Sequence, residues 1–141
     1  MYNTRVINGM KKCGKCISCN YIKEGKEITN KQETWKITKQ INCKTTNVIY
    51  MLECKKCNAR YIGETEREFR ERIKEHIGYA RTKNLNKVTG NHFNLPGHEI
   101  YHMKFTVIEK VKFNNTQYRK EREKFHINKF DTYRHGMNER P

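Results

Sequence analysis

Two short apolar runs, V-I-Y at residues 48–50 and Y-I-G at residues 61–63, constrain the fold of this chain most strongly. Apolar residues alternate along both runs, which is typical of β-strands that bury one face. Only a hairpin-length loop separates the two predicted strands, so we expect them to pair antiparallel. That loop carries Cys54 and Cys57 in a C-x-x-C spacing, which packing alone does not explain.

The segment after Y-I-G predicts a helix. Thr65 and Glu68 have the spacing of a capping box, in which a threonine N-cap and a glutamate three residues later satisfy free backbone N–H groups. Arg72 and His76 lie one helical turn apart on a face beside the apolar stripe. The stripe itself consists of Phe69, Ile73 and Ile77.

Further along the chain, residues 103–113 alternate as a third strand, and residues 114–130 predict a second helix capped by Asn115 or Thr116. Between these strands and helices, the sequence RTKNLNKVTGN predicts a basic loop. Ahead of V-I-Y, weak alternation over residues 28–41 predicts one or two short strands. The order β-β-α-β-α predicts an α+β fold, with a short, about three-stranded antiparallel sheet flanked by helices.

The charge of the chain indicates a polyanionic partner. Its 141 residues include 30 Lys and Arg against 15 Asp and Glu, a formal net charge of +15. A cationic excess of this size favours nucleic acid, while solubility and an anionic membrane surface are the alternatives. We find no apolar run long enough to span a bilayer and no signal peptide, and we expect an intracellular protein with reduced thiols.

Reduced C-x-x-C pairs bind zinc more often than they form disulfides. Cys54 and Cys57 need two further ligands, and His92 and His98 supply them best in an H-x5-H spacing that contains a Pro-Gly turn. His102 is the alternative fourth ligand. With four protein ligands this zinc is expected to be structural, because no position is left for water.

A second group of cysteines is expected to close a four-cysteine zinc site, with disordered reduced thiols as the alternative. It consists of Cys13, Cys16, Cys19 and Cys43. We therefore divide the chain into a basic N-terminal extension over residues 1–46 with this site, and a main domain over residues 47–141 with the Cys-Cys-His-His site.

Residues 47–138 resemble a GIY-YIG endonuclease domain. V-I-Y stands where the family has G-I-Y, and the second half matches Y-I-G. The family then has an aromatic residue followed by R-x-x-x-H on a helix, a later R-E motif and a G-x-N asparagine. Here these elements are Phe69, Arg72, His76, Glu123 and Asn138, in family order.

Within that family the chain resembles the endonuclease of Penelope-like retroelements, which also has C-x-x-C between the two halves and paired histidines after the first helix. It departs from the family at Val48, in place of glycine, and at His126, where relatives often have tryptophan. The resemblance implies nicking of duplex DNA to leave a 3′-hydroxyl that primes reverse transcription. It also implies a reverse-transcriptase domain and its RNA template as partners, and a nuclear location.

The resemblance implies that Tyr50 or Tyr61, of which we favour Tyr50, positions or deprotonates the attacking water. Arg72 would clamp the phosphate, since guanidinium binds phosphate bidentately. We expect the cationic surroundings to lower the tyrosine pKa below its usual value near ~10. Taken singly, strand tyrosines are usually packing residues and a helix arginine is usually solvated.

The same resemblance makes Glu123 the ligand of a catalytic Mg²⁺ or Mn²⁺, ions that prefer oxygen. His76 would relay a proton or orient the phosphate, and Asn138 would hold the edge of the active site. Read without the family, Glu123 is a surface ion-pair residue.

Two other functions compete with this reading. The first is a zinc-stabilised, catalytically silent nucleic-acid-binding module, and the second is a repair-type or RNA-directed nuclease on the same fold. A small secreted disulfide protein is a third alternative. No base-reading element is visible beyond general basicity.

Overall fold

A computed structural model describes residues 7–31 and 33–139. The first six residues and Gln32 of the predicted extension lie outside these ranges, as do the last two residues of the predicted main domain. No helix within the described residues has the length and apolar character needed to cross a membrane.

The described part of the N-terminal extension contains four short strands. Three of them lie in the region of weak alternation, so the prediction of strands there is confirmed, but their predicted number of one or two is too low. β1 and β4 pair in parallel, whereas β2 and β3 form an antiparallel hairpin in which Ile28 lies opposite Trp35. A 3-10 turn over Ile17–Tyr21 lies between β1 and β2. The strands are β1 (Gly9–Met10), β2 (Glu27–Asn30), β3 (Glu33–Lys36) and β4 (Gln40–Ile41).

The predicted antiparallel sheet forms around V-I-Y and Y-I-G. Its strands are β5 (Val48–Cys54), β6 (Arg60–Thr65) and β7 (Met103–Lys110), in the order β6-β5-β7. Six of the seven residues of the central strand β5 are buried, because neighbouring strands pair along both its edges and other elements cover both its faces. The α+β prediction is confirmed.

Three helices accompany the sheet: α1 (Phe69–Arg81), α2 (Val88–His92) and α3 (Thr116–Phe130). The predicted cap of α3 is Asn115, whose side chain accepts a hydrogen bond from the Tyr118 N–H at 2.9 Å. The short helix α2 begins inside the segment 81–91 that the sequence predicts as a basic loop, and it ends one residue beyond it. Its five residues are too few to show helical periodicity in the sequence.

The predicted capping box at Thr65 is wrong. Thr65 is the last residue of β6, and α1 begins only at Phe69, without a side-chain cap. Backbone carbonyls take over the capping role: the Phe69 N–H bonds the Thr45 oxygen at 2.9 Å and the Arg70 N–H bonds the Cys43 oxygen at 2.7 Å. Free N–H groups at a helix start need acceptors, and here the extension provides them.

The extension packs against β7 and α3. The Trp35 indole N–H donates to the Ile108 carbonyl at 2.9 Å, and its ring meets the His126 ring edge-on at 4.8 Å between centroids. The Asn30 side chain donates to the Lys129 carbonyl at 2.9 Å. These contacts tie the β2–β3 hairpin to the helix that carries Glu123.

Removing the Trp35 side chain is expected to loosen this attachment. Trp35→Ala removes a partly buried aromatic contact and leaves the Ile108 carbonyl without its donor, which should lower the free energy of unfolding by about 2–3 kcal/mol. Urea denaturation followed by circular dichroism measures the change. Tyr101→Ala removes an aromatic ring that is 66% exposed, so it serves as the control; equal losses in the two variants would contradict this packing role.

Candidate active site and metal clusters

Side chains from β5, β6 and all three helices surround one cleft of about 220 Å³. Five of the six residues predicted to be catalytic line it, which shows that the fold brings together positions far apart in sequence. The lining residues used below are Tyr50, Tyr61, Glu64, Arg72, His76, Tyr79, Lys87, Thr89, Lys120 and Glu123.

Tyr50 occupies the centre of this arrangement. Its side chain is buried, with the ring 5.3 Å from the Phe69 ring and its hydroxyl 2.6 Å from Nε2 of His76. The glycine of Y-I-G makes room for it, because a Cβ at Gly63 would lie only 2.4 Å from the Tyr50 hydroxyl. This close approach explains why the position opposite Tyr50 on β6 has no side chain.

His76 is held at both ring nitrogens. Nε2 faces Tyr50, and Nδ1 lies 2.8 Å from the Thr89 hydroxyl oxygen on α2. Burial, reinforced by the charge of Arg72, lowers the pKa of His76 to about 3. The imidazole is therefore neutral at physiological pH and carries a single ring proton.

The expected fall in the tyrosine pKa does not occur in this cleft. Burial raises the pKa of Tyr50 well above its usual value, with Tyr61 adding to the rise and Arg72 opposing it. Burial and the negative charge of Glu123 raise the pKa of Tyr61 to about 12. Desolvation thus outweighs the cationic surroundings, and both phenols are protonated at rest.

Arg72 reaches the cleft from α1, and its guanidinium forms only some of the hydrogen bonds that it can donate. One terminal nitrogen pairs with Glu75 at 3.1 Å and the other bonds the Glu64 carbonyl at 3.3 Å. Its buried Nε has no hydrogen-bond partner among the described residues. A guanidinium that lines a cleft and keeps an unpaired N–H is suited to an anionic ligand.

Glu123 shares the cleft with Arg72 and Lys120, whose charges only partly offset the effect of burial on its pKa. Burial and the nearby charge of Glu64 raise the pKa of Glu123 to about 6. In the described part of the chain, no hydrogen bond or ion pair is formed by its side chain. A half-buried, unpaired carboxylate in a polar cleft fits a divalent cation, whose binding would relieve the unmatched charge.

Sequence reasoning missed Glu64, which immediately follows Y-I-G. Its carboxylate ion-pairs with buried Arg119 and with Lys120, the latter at 3.2 Å. Burial opposes ionisation, but the hydrogen bonds from Arg119 and Lys120 lower the pKa of Glu64 overall. Arg119 also donates to Asn47 at 3.0 Å, which anchors the start of β5. Only the three-dimensional pairing with α3 distinguishes Glu64 from a surface glutamate.

Asn138 lies beside the site, outside the residues that line the cleft. Its side chain bonds the Ile62 backbone twice: Oδ1 accepts from the N–H at 2.7 Å, and the amide donates to the carbonyl at 2.9 Å. It therefore extends the hydrogen bonding of β6 between Tyr61 and Gly63. Its role in holding the edge of the active site stays a prediction.

The predicted Cys-Cys-His-His group assembles at the β5–β6 turn. The four ligand atoms of Cys54, Cys57, His92 and His98 all lie within 4.8 Å of one another. Nδ1 of His98 faces the Pro96 carbonyl at 3.3 Å, and its buried Nε2 has no hydrogen-bond partner in the residues described. A histidine that bonds a carbonyl through one nitrogen and keeps the other free is suited to a metal.

His102 lies outside this group. Its Nδ1 accepts a hydrogen bond from the Glu99 N–H at 2.9 Å and caps a 3-10 turn over Ile100–His102. Of the two fourth ligands left open by the sequence, the structure places His98 with the other three.

The four N-terminal cysteines also converge, with ligand atoms within 4.8 Å of one another. The sulfur of Cys19 lies 3.6 Å from those of Cys13 and Cys16 and 3.7 Å from that of Cys43. Four thiolates about 2.3 Å from a tetrahedral zinc would lie roughly 3.8 Å apart. The donor set and its spacing therefore fit zinc.

Comparisons with known proteins agree with this architecture. A search of curated proteins finds no match. Among solved structures, the catalytic domain of the homing endonuclease I-TevI superimposes with a TM-score of 0.56 at 21% identity, covering 67% of this chain and 98% of that one. A mutant of the catalytic domain of the intron endonuclease I-TevI gives 0.57 at 20% identity, covering 67% and 93%.

These likenesses concern the fold, and the family assignment rests on a sequence match. The model of the GIY-YIG catalytic domain matches residues 46–138, more than half of the chain. This range contains V-I-Y, Y-I-G and every side chain that lines the cleft. The chain is an endonuclease that belongs to the GIY-YIG catalytic domain family.

Proposed function

We propose that the chain is a metal-dependent DNA endonuclease that nicks one strand through the cleft around Tyr50. The convergence of Tyr50, Tyr61, Arg72, His76 and Glu123 on one small cleft carries this proposal. The net charge of +15 supports a DNA substrate. I-TevI, whose catalytic domain has the same fold, is named a homing endonuclease.

Tyr50 and His76 act as a pair on the attacking water. Because both are neutral at rest, a free phenolate is not the starting state. Water donates its proton to the Tyr50 oxygen as it attacks phosphorus, and Tyr50 passes its own proton to His76 Nε2, 2.6 Å away. A DNA phosphate in the cleft raises the pKa of His76 by opposing the charge of Arg72, which makes it a better proton acceptor.

Arg72 binds the scissile phosphate through its unpaired Nε–H and stabilises the negative charge that develops there. The bond from phosphorus to the 3′ oxygen breaks, and that oxygen takes a proton from solvent. The products are a 3′-hydroxyl and a 5′-phosphate. Lys120 and Lys87 at the cleft wall add positive charge for the neighbouring phosphates.

Glu123 holds the catalytic Mg²⁺ or Mn²⁺. When bound, this ion would neutralise charge on the phosphate and on the leaving oxygen. The unpaired state of the carboxylate and its raised pKa support this role.

Zinc is the proposed ion at both clusters. Each contains four nitrogen or sulfur donors, so neither leaves a position for water, and both are structural. The Cys-Cys-His-His cluster ties the segment after α1 to the β5–β6 turn. The four-cysteine cluster includes Cys43, whose carbonyl accepts a hydrogen bond from the start of α1.

The biological setting that we propose is target-primed reverse transcription of a retroelement, with a reverse-transcriptase domain and its RNA template as partners in the nucleus. The C-x-x-C between V-I-Y and Y-I-G, paired with two histidines after α1, supports this setting. The nick would supply the primer hydroxyl. The domain division at residues 46 and 47 stays a prediction: the strands of the extension form sheets of their own, while the extension also packs against β7 and α3.

Glu123→Gln is expected to abolish nicking and at the same time stabilise the fold. Loss of the metal ligand should slow relaxation of supercoiled plasmid in Mg²⁺ by at least about 100-fold while leaving DNA binding intact. Glu121→Gln, an exposed position two residues away on α3, is the matched control. If native and variant chains both bind DNA and neither nicks it, the chain is a binding module.

The increase in the free energy of unfolding expected for Glu123→Gln should depend on pH. The pKa of Glu123 is about 6 in the fold, above its ordinary value of 4.5, so folding disfavours the ionised carboxylate. Relative to Glu123→Gln, the native chain should lose stability as pH rises through 6, by on the order of 1 kcal/mol after allowance for solvent screening. Below pH ~4.5 the difference should vanish. Urea unfolding at pH 4, 6 and 8 measures it.

Metal content distinguishes the two zinc sites. The native chain, purified with reduced thiols, should carry two zinc ions per chain by elemental analysis. Cys54→Ser and Cys43→Ser should each remove one ion, and the double variant should have none, because a lost thiolate weakens a closed site strongly. Retention of two ions by either single variant would disprove the corresponding ligand set.

The nick should be a competent primer. A DNA polymerase should extend the nicked strand directly, since breaking the bond to the 3′ oxygen leaves a hydroxyl. A requirement for phosphatase treatment before extension would rule out the priming role. Competition by duplex DNA, branched DNA and RNA in the same assay separates this reading from a repair-type or RNA-directed nuclease.

A further inference from the structure

The short helix α2 touches both the cleft and the Cys-Cys-His-His cluster. Thr89 is the second residue of α2, and its hydroxyl oxygen lies 2.8 Å from Nδ1 of His76. His92, its last residue, places Nε2 3.4 Å from the sulfur of Cys57. Only two residues of this helix therefore separate a contact to the His76 imidazole from a contact to the metal cluster.

Hydrogen-bond lengths around His76 indicate which nitrogen carries the proton. The Tyr50 contact, at 2.6 Å, is slightly shorter than usual for an N–H donor and ordinary for an O–H donor, which favours Tyr50 as the donor to Nε2. A neutral imidazole then has its proton on Nδ1, which donates to Thr89. His76 is only 4% exposed, so solvent is a poor substitute for this acceptor.

The position of α2 is set from both ends. At Gly90 a Cβ would lie 2.4 Å from the Asn84 carbonyl, so the helix packs too closely there for a side chain. Asn94 donates to the Gly90 carbonyl at 2.7 Å and to the Ala80 carbonyl at 3.0 Å, which joins α2 to the end of α1. Beyond His92, the metal cluster and a backbone hydrogen bond from the Lys55 N–H to the His102 carbonyl, at 2.8 Å, connect this segment to the β5–β6 turn.

We propose that Thr89 is a positioning residue that fixes the His76 tautomer, and that the Cys-Cys-His-His cluster holds Thr89 in register through α2. In that tautomer the Nε2 lone pair faces the Tyr50 hydroxyl and is ready to take its proton. The metal cluster then controls the alignment of the catalytic pair in addition to stabilising the chain. This role in nicking rests on the proposed function, whereas the tautomer itself does not.

Two substitutions at one position isolate the hydroxyl. Thr89→Val has nearly the same shape but no acceptor, and it should slow plasmid nicking about 10–100-fold, the range typical of outer-shell partners. Thr89→Ser keeps the acceptor and should retain most of the rate. Thr106→Val is the matched control, because this buried threonine also loses one side-chain hydrogen bond, to the Lys23 carbonyl at 2.9 Å, away from the cleft.

Nitrogen NMR of the His76 ring distinguishes a positioning role of Thr89 from a purely structural one. The native chain should show a protonated Nδ1, and Thr89→Val should shift the ring towards a protonated Nε2. Cys57→Ser, with zinc lost from the cluster, should give mixed tautomers and faster amide exchange in α2. Thr89→Ser and Thr106→Val should show the native signals.

A native ring protonated on Nε2 would overturn the proposal whatever the variants do. So would unchanged ring signals and unchanged nicking in a folded Thr89→Val chain. If Cys57→Ser keeps native ring signals after losing its zinc, the coupling to the cluster is wrong while the role of Thr89 stands. A native chain with the expected tautomer but no nicking would refute the nuclease function and leave the positioning inference intact.

Discussion

A buried phenol imposes the main constraint on this structure. Tyr50 belongs to the central strand, and its hydroxyl ends deep inside the protein, where an unpaired polar group would be costly. His76 supplies the partner at 2.6 Å, and Gly63 leaves the space in which the hydroxyl lies. The packing of the core thus fixes the distance between the two groups proposed to move the proton. Displacing either would disturb the fold and the reaction together.

The helix that carries Arg72 and His76 is therefore held firmly at both ends. At its start, carbonyls of Thr45 and Cys43 accept the free backbone N–H groups, and Cys43 also belongs to a cysteine cluster. At its end, α2 packs closely and leads to the second cluster. A chain that is 35% hydrophobic has a modest core, and metal bound at the two proposed zinc sites would compensate for it. Each proposed zinc site adjoins one end of α1, the helix that carries Arg72 and His76.

Much of the fold was predictable because it follows from local patterns. The alternation in V-I-Y and Y-I-G specified β5 and β6, and Asn115 marked the start of α3. The capping box at Thr65 failed because the acceptors for α1 come from residues distant in sequence, which no local motif reveals. The same limit applies to Glu64 and Thr89, whose importance comes from partners on α3 and α1.

The prediction of a lowered tyrosine pKa was wrong for a physical reason. A charge count predicted that cations would favour the phenolate, but the pKa depends on the surroundings of one atom and not on the net charge of the chain. Tyr50 is buried, so the loss of hydration outweighs the attraction of Arg72 and the phenol keeps its proton. The same desolvation keeps His76 neutral and leaves Glu123 with a pKa of about 6. All three pKa shifts disfavour the charged form of the side chain. In the proposed mechanism, a phosphate and a divalent cation supply the opposite charges that these groups lack, so we expect the cleft to become active only when substrate and metal are both bound.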